Sequence, residues 1–125
     1  MRRFKYVKYS FTMDIAFVDK KLEKIVNDDR QIVRVLGKLR AEKLRDRLIQ
    51  LQDAATLEDV RYLPGNYHEL TGNRKGQWAC DLDQPYRLVF EPQEKPIPVN
   101  EHGQYIWLKI IGIEIIEIVN YHKEK

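Results

Sequence analysis

Between Leu63 and Phe90 the chain carries His68, an Arg74-Lys75 pair in a turn bounded by Gly72 and Gly76, and Arg87 inside an apolar strand pattern. It closes on Ile118-Val119-Asn120-Tyr121-His122. Imidazoles exchange protons near neutral pH, guanidinium groups grip phosphate oxygens in pairs of hydrogen bonds, and a phenol can stack on a base. Together they are the groups that phosphodiester chemistry without a metal requires.

Other chemistries lack their parts. No Gly-rich phosphate loop runs into Lys-Ser or Lys-Thr, no dinucleotide fingerprint is present, and no two histidines stand at helical spacing for a metal. His102 sits in a polar loop. Cys80 alternates with Trp78 and Leu82, which assigns it to the core rather than to a nucleophile, and one cysteine can build neither an internal disulfide nor a Cys-rich zinc site. Acid–base and electrostatic catalysis with no cofactor and no metal remains.

Each candidate also has a structural reading. His68 can be an ordinary turn histidine, Arg74 and Lys75 solvated loop charges, and Tyr121-His122 a tail. For Arg87 that reading is a salt bridge to Asp83 or Glu91.

The joint spacing is what discriminates. His68-Glu69-Leu70, Gly72-Asn73-Arg74-Lys75-Gly76-Gln77-Trp78, Pro85-Tyr86-Arg87-Leu88-Val89-Phe90 and Ile118 to His122 resemble the RelE/ParE superfamily of bacterial toxins, in its HigB (host-inhibition-of-growth) branch. The likeness is sharp over 63–90 and 118–122, looser over 13–55, and does not extend to 1–12 or the 93–103 loop. It implies a small α+β, RelE-like domain over 13–125, preceded by an N-terminal extension over 1–12, with N-terminal helices on one face of a mainly antiparallel sheet. It further implies a cytoplasmic toxin that cuts messenger RNA on the translating ribosome and is held inactive by a HigA-like helix-turn-helix antitoxin.

Carried over residue by residue, the resemblance gives His68 and His122 roles in proton transfer or substrate orientation and Arg87 stabilisation of phosphate charge. Arg74 and Lys75 position the RNA backbone, and Tyr121 stacks on a base or shares proton transfer. Two positions depart from the pattern: Thr71 where related toxins often present Lys, and Asn120 where many have Asp. A gyrase-inhibiting ParE-like toxin and an inactive interaction module are the alternatives, and ParE-like chains generally lack this His, Arg and Tyr-His set.

Composition sets the frame independently. A chain of 125 residues suits one domain with one core. No apolar run approaches the ~20 residues of a membrane span. Net charge is +3, but residues 1–52 hold 14 Lys and Arg against 7 Asp and Glu, whereas 53–125 hold 8 against 12. A basic half suits a phosphate-rich partner, with Lys38 and Arg45 as candidate RNA contacts, although a solvated helical face has the same charge.

The elements that must position these groups follow from periodicity. Met13–Val18 reads as an edge strand, and Asp19 caps a short helix. Asn27-Asp28-Asp29 breaks it and caps a longer helix over 30–52, in which Ile32, Leu36, Leu39, Leu44, Leu48 and Leu51 form a buried stripe and Gly37 marks a bend. Thr56 to Asp59 has capping-box spacing. The period then becomes two: a strand around Trp78–Leu82, a turn at Asp83-Gln84-Pro85, a strand over Tyr86–Glu91, a Pro-rich loop, and a last strand over Tyr105–Val119. Its alternation slips at Ile115-Ile116, which calls for a β-bulge there.

Overall fold

A computed structural model describes residues 12–122. The expected extension therefore lies almost wholly outside the described residues. β1 (Asp14–Phe17) leads into three helices, α1 (Lys20–Val26), α2 (Asp29–Leu36) and α3 (Lys38–Asp53), then a single turn α4 (Leu57–Val60). β2 (His68–Glu69), β3 (Trp78–Asp81), β4 (Tyr86–Pro92) and β5 (Gly112–Asn120) complete the chain. The sheet order is β1-β5-β4-β3-β2, with β1 parallel to β5 and the other pairs antiparallel, so the fold is α+β as expected.

Local chemistry explains the boundaries. Asp19 accepts hydrogen bonds from the backbone N–H groups of Lys21 and Leu22, and Asp28 does the same for Arg30 and Gln31, satisfying donors that a helix start leaves open. Thr56 and Asp59 form the capping box that starts α4. Gly37 does more than bend a helix: at φ 86° and ψ 158° it separates α2 from α3. The break changes the phase of the stripe, so Ile32, Leu44, Leu48 and Leu51 are buried while Leu39 is 58% exposed.

Strand alternation sorts the sheet into two faces. Trp78, Cys80, Leu88, Phe90, Ile113 and Ile115 pack with Ile32, Leu44, Leu48 and Leu51 beneath the helices. Ala79, Val89 and Val119 form a smaller cluster on the other face, flanked by Leu70 and Ile116. The last strand begins later than expected, because Trp107–Lys109 forms a 3-10 turn that buries the Trp107 indole.

The bulge falls where the slip in alternation puts it. Phe90 pairs with Ile115 and Val89 with Glu117, leaving Ile116 as the extra residue. Beyond it Ile118 joins the helix-side core and Val119 the opposite face. Without that extra residue every later side chain would turn over.

Candidate active site

The bulge and the strand period bring the candidates to the face that the helices leave open. On β4, Tyr86, Leu88 and Phe90 pack with the helix-side core, so Arg87 and Val89 point the other way. Arg87 lies opposite Asp81 on β3 and Val119 on β5. Tyr121 follows two residues after Val119 and is tethered by its backbone N–H, which donates to the Pro85 carbonyl at 2.7 Å. Its ring takes the Arg87 guanidinium, whose Cζ lies 3.7 Å from the ring centroid.

The turn between β2 and β3 supplies the other wall. The Leu70 N–H donates to Gln77 O, and Gly72 and Gly76 adopt φ of 64° and 96°, which compact the turn around a 3-10 segment over Gly72–Arg74. Arg74 is aimed by two acceptors: Nη1 donates to Gln77 Oε1 at 2.7 Å and Nη2 to Glu117 Oε2 at 2.8 Å. Between turn and strands lies a cavity of about 230 Å³, lined by Leu70, Thr71, Asn73 and Arg74 from the turn and by Arg87, Val89 and Tyr121.

The salt bridge considered for Arg87 does not form. Asp83 receives Arg40, whose Nε and Nη2 bond its two carboxylate oxygens at 2.9 and 3.1 Å. Glu91 is held by Lys95 and by Gln77. Burial alone would raise the Glu91 carboxyl, but its bonds with Lys95, Glu114 and Gln77 outweigh that and hold it below its ordinary range. Arg47 is spent on the Asp81 carbonyl at 2.7 Å. Among the described residues the Arg87 side chain has no hydrogen bond or ion pair, only the Tyr121 ring.

His68 belongs to the same face, paired with Ala79 across from Val89, but it does not line the cavity. Its Nδ1 lies 2.7 Å from the Asn66 carbonyl. A carbonyl only accepts, so Nδ1 carries the proton in this bond and Nε2 is left as the basic nitrogen. His122 is exposed just beyond Tyr121, its ring 5.7 Å from the Tyr121 ring, and its backbone N–H donates to Asn120 Oδ1.

The remaining candidates stand apart. Lys75 turns to the other side of the Gly72–Gly76 turn, 5.8 Å from the Tyr105 ring. Lys38 is exposed at the start of α3, and Arg45 pairs with Asp29 at 2.6 Å, both on the helical layer. Sequence reasoning missed Asn73, Gln77 and Glu117. Glu117 left a trace, since it interrupts an apolar run, but its reach to Arg74 depends on a register no local pattern reveals. Thr71 and Asn120, marked only as departures, prove to be a cavity wall and the acceptor that turns His122.

Among the described residues no group of three or more His, Cys, Asp or Glu side chains could hold a metal ion, and no helix is long and apolar enough to cross a membrane. A family model described as the RelE-like toxin of the type II toxin-antitoxin system HigB matches residues 15–102. That span includes the 93–102 loop, which the sequence resemblance did not, and stops before Tyr121 and His122. Toxin HigB-1 of Vibrio cholerae serotype O1 (strain ATCC 39315 / El Tor Inaba N16961) is 35% identical over 81 residues, 63% of this chain and 83% of the relative. No solved structure matches the chain significantly.

Proposed function

The chain belongs to the HigB family of RelE-like toxins of type II toxin-antitoxin systems, and from that premise we propose that it is an endoribonuclease acting on messenger RNA at the translating ribosome. The observation that carries this reading is the Arg87 guanidinium, free of any carboxylate among the described residues and facing a cavity whose opposite wall presents Arg74. A cation kept unpaired at a concave site suits an anion that arrives from outside.

In the proposed reaction the ribose 2′-hydroxyl attacks the adjacent phosphorus. The 2′-oxygen–phosphorus bond forms, the bond from phosphorus to the 5′-oxygen breaks, and the products are a 2′,3′-cyclic phosphate and a 5′-hydroxyl. Arg87 stabilises the charge that grows on the non-bridging oxygens. Arg74, fixed by Gln77 and Glu117, positions the backbone. Tyr121, already stacked by a guanidinium, offers a face for a base. His68 and His122 handle the protons taken from the 2′-hydroxyl and given to the 5′-oxygen. A type II toxin has a protein antitoxin, and we assign that role to a HigA-like helix-turn-helix protein.

The test is a pair of assays on purified protein. Messenger RNA on translating ribosomes should be cut while gyrase supercoiling is untouched. Intact messenger RNA together with blocked supercoiling would replace this reading by that of a ParE-like toxin, and inactivity in both by that of a silent module.

A further inference from the structure

Across the Gly72–Gly76 turn from the Arg87 cavity lies a second, larger cleft of about 500 Å³, bordered by Glu69, Lys75, Asn100, Gln104, Tyr105 and Trp107. Its back wall is fixed. Trp107 is 6% exposed and meets Trp78 edge-on at 5.4 Å, and the Tyr105 ring lies 5.1 Å from Trp107. The rim is also ordered: Asn100 Oδ1 accepts the backbone N–H groups of His102 and Gln104, and Val99 bridges to Tyr105. A Cβ on Gly76 would meet Ile97 Cδ1 at 3.2 Å and the Tyr105 hydroxyl at 3.8 Å, so the turn sits directly against this loop.

Arg74 and Lys75 are consecutive, yet Arg74 borders one cavity and Lys75 the other. A strand passing over the turn therefore meets a cation on each side. In the second cleft Lys75 Nζ stands 5.8 Å from the Tyr105 ring centroid, so a positive charge and an aromatic face share one space. That is the pair single-stranded nucleic acid uses, a π face for the base and a charge for the backbone. Glu69 is tied to Arg61 at 2.8 Å, a guanidinium that it shares with Glu58, so its charge is only partly neutralised. The Gln104 side-chain amide oxygen is occupied by Asn100 Nδ2, which leaves its NH₂ group to meet a base edge.

Building on the ribonuclease reading, we propose that this cleft is a flanking-nucleotide subsite, in which an unpaired RNA base next to the cleaved step stacks on Tyr105 while Lys75 binds its phosphate. The subsite selects among sequences at one position beyond the bond that is cut.

The experiment maps transcript 5′ ends in cells expressing the whole toxin, as wild type, Lys75→Ala, Tyr105→Ala or Tyr105→Phe, with thermal unfolding of each protein. Wild type and Tyr105→Phe should cut with the same base preference. Tyr105→Ala should cut about tenfold less efficiently, the scale of removing one base stack, with the preference at one flanking position flattened, and Lys75→Ala should lose efficiency across all sequences, because a phosphate contact carries no sequence information. Lys75 is exposed, so its variant decides the matter if Tyr105→Ala fails to fold. Absence of any transcript cleavage by wild type overturns the ribonuclease reading and this subsite with it. Wild-type cleavage with an unchanged rate in Lys75→Ala overturns the subsite alone. Unchanged cleavage combined with failed antitoxin neutralisation makes the cleft a protein interface and equally overturns the proposal.

Discussion

Arg87 owes its availability to the other basic residues. Arg40 occupies Asp83 and Lys95 occupies Glu91, so the two carboxylates that flank Arg87 in sequence already have partners. Arg87→Ala should therefore abolish RNA cleavage with little change in the unfolding midpoint, since it breaks no ion pair among the described residues. Normal single-turnover cleavage by this variant would remove the residue from the site. For His122 the expectation is quantitative: His122→Ala should slow single-turnover cleavage by about 10²–10⁴, the range that general acid–base catalysis supplies, and a change below about threefold would assign proton transfer elsewhere. The residue types were legible before the structure, because an arginine in an apolar strand and a Tyr-His pair after an isoleucine run stand out from their surroundings. The two residues that aim Arg74, Gln77 and Glu117, were not. Glu117 is 43 positions away, and only the β4–β5 register sets it opposite Val89 and beside the turn.

Elements divide the work between scaffold and site one residue at a time. Leu88 lies fully buried beside the outward-facing Arg87, so Leu88→Ala should cost about 2–5 kcal/mol of stability by opening a cavity and leave the cleavage rate of the folded fraction near normal. Denaturant unfolding checks the first part, and loss of the single-turnover rate at full folding would contradict the second. Cys80, on the same side of the sheet, has its thiol pushed up to about 12, chiefly by burial. It should resist a thiol reagent at about pH 8 until the protein unfolds, and rapid labelling of the native protein would show that this core is open. Element types and caps were readable in the sequence, as was the bulge at Ile116, because each leaves a local mark. What could not be read was how strongly Gly37 acts. A glycine inside a helical pattern signals either tolerance or a break, and only tertiary packing, which buries Leu44 while leaving Leu39 in solvent, decides between them.

At the scale of the whole molecule, the basic helices α1 to α3 and the cavity occupy different faces. The helices cover one side of the sheet, and Arg87, Arg74 and Tyr121 gather on the other, so the cations of the helical layer do not surround the reacting groups. Sequence could show that charge is uneven between the halves, but a count cannot say which face of a sheet a helix will cover. Lys38 is exposed, and the Arg45–Asp29 pair lies at the surface, where such pairs contribute at most about 1 kcal/mol. Both can be replaced without unfolding the domain. If the helical layer helps dock the toxin on ribosomal RNA, Lys38→Ala combined with Arg45→Ala should weaken association with ribosomes and lower its salt slope by up to about 2, roughly one for each phosphate that is no longer neutralised. The single-turnover rate at saturating toxin should stay unchanged, because neither side chain borders the cavity. Association measured from low to moderate salt, beside single-turnover cleavage at each salt concentration, separates the two quantities. An unchanged salt slope would make the basic helices an ordinary solvated surface, whereas a fall in the saturated rate would mean that the helical layer acts on the chemistry itself.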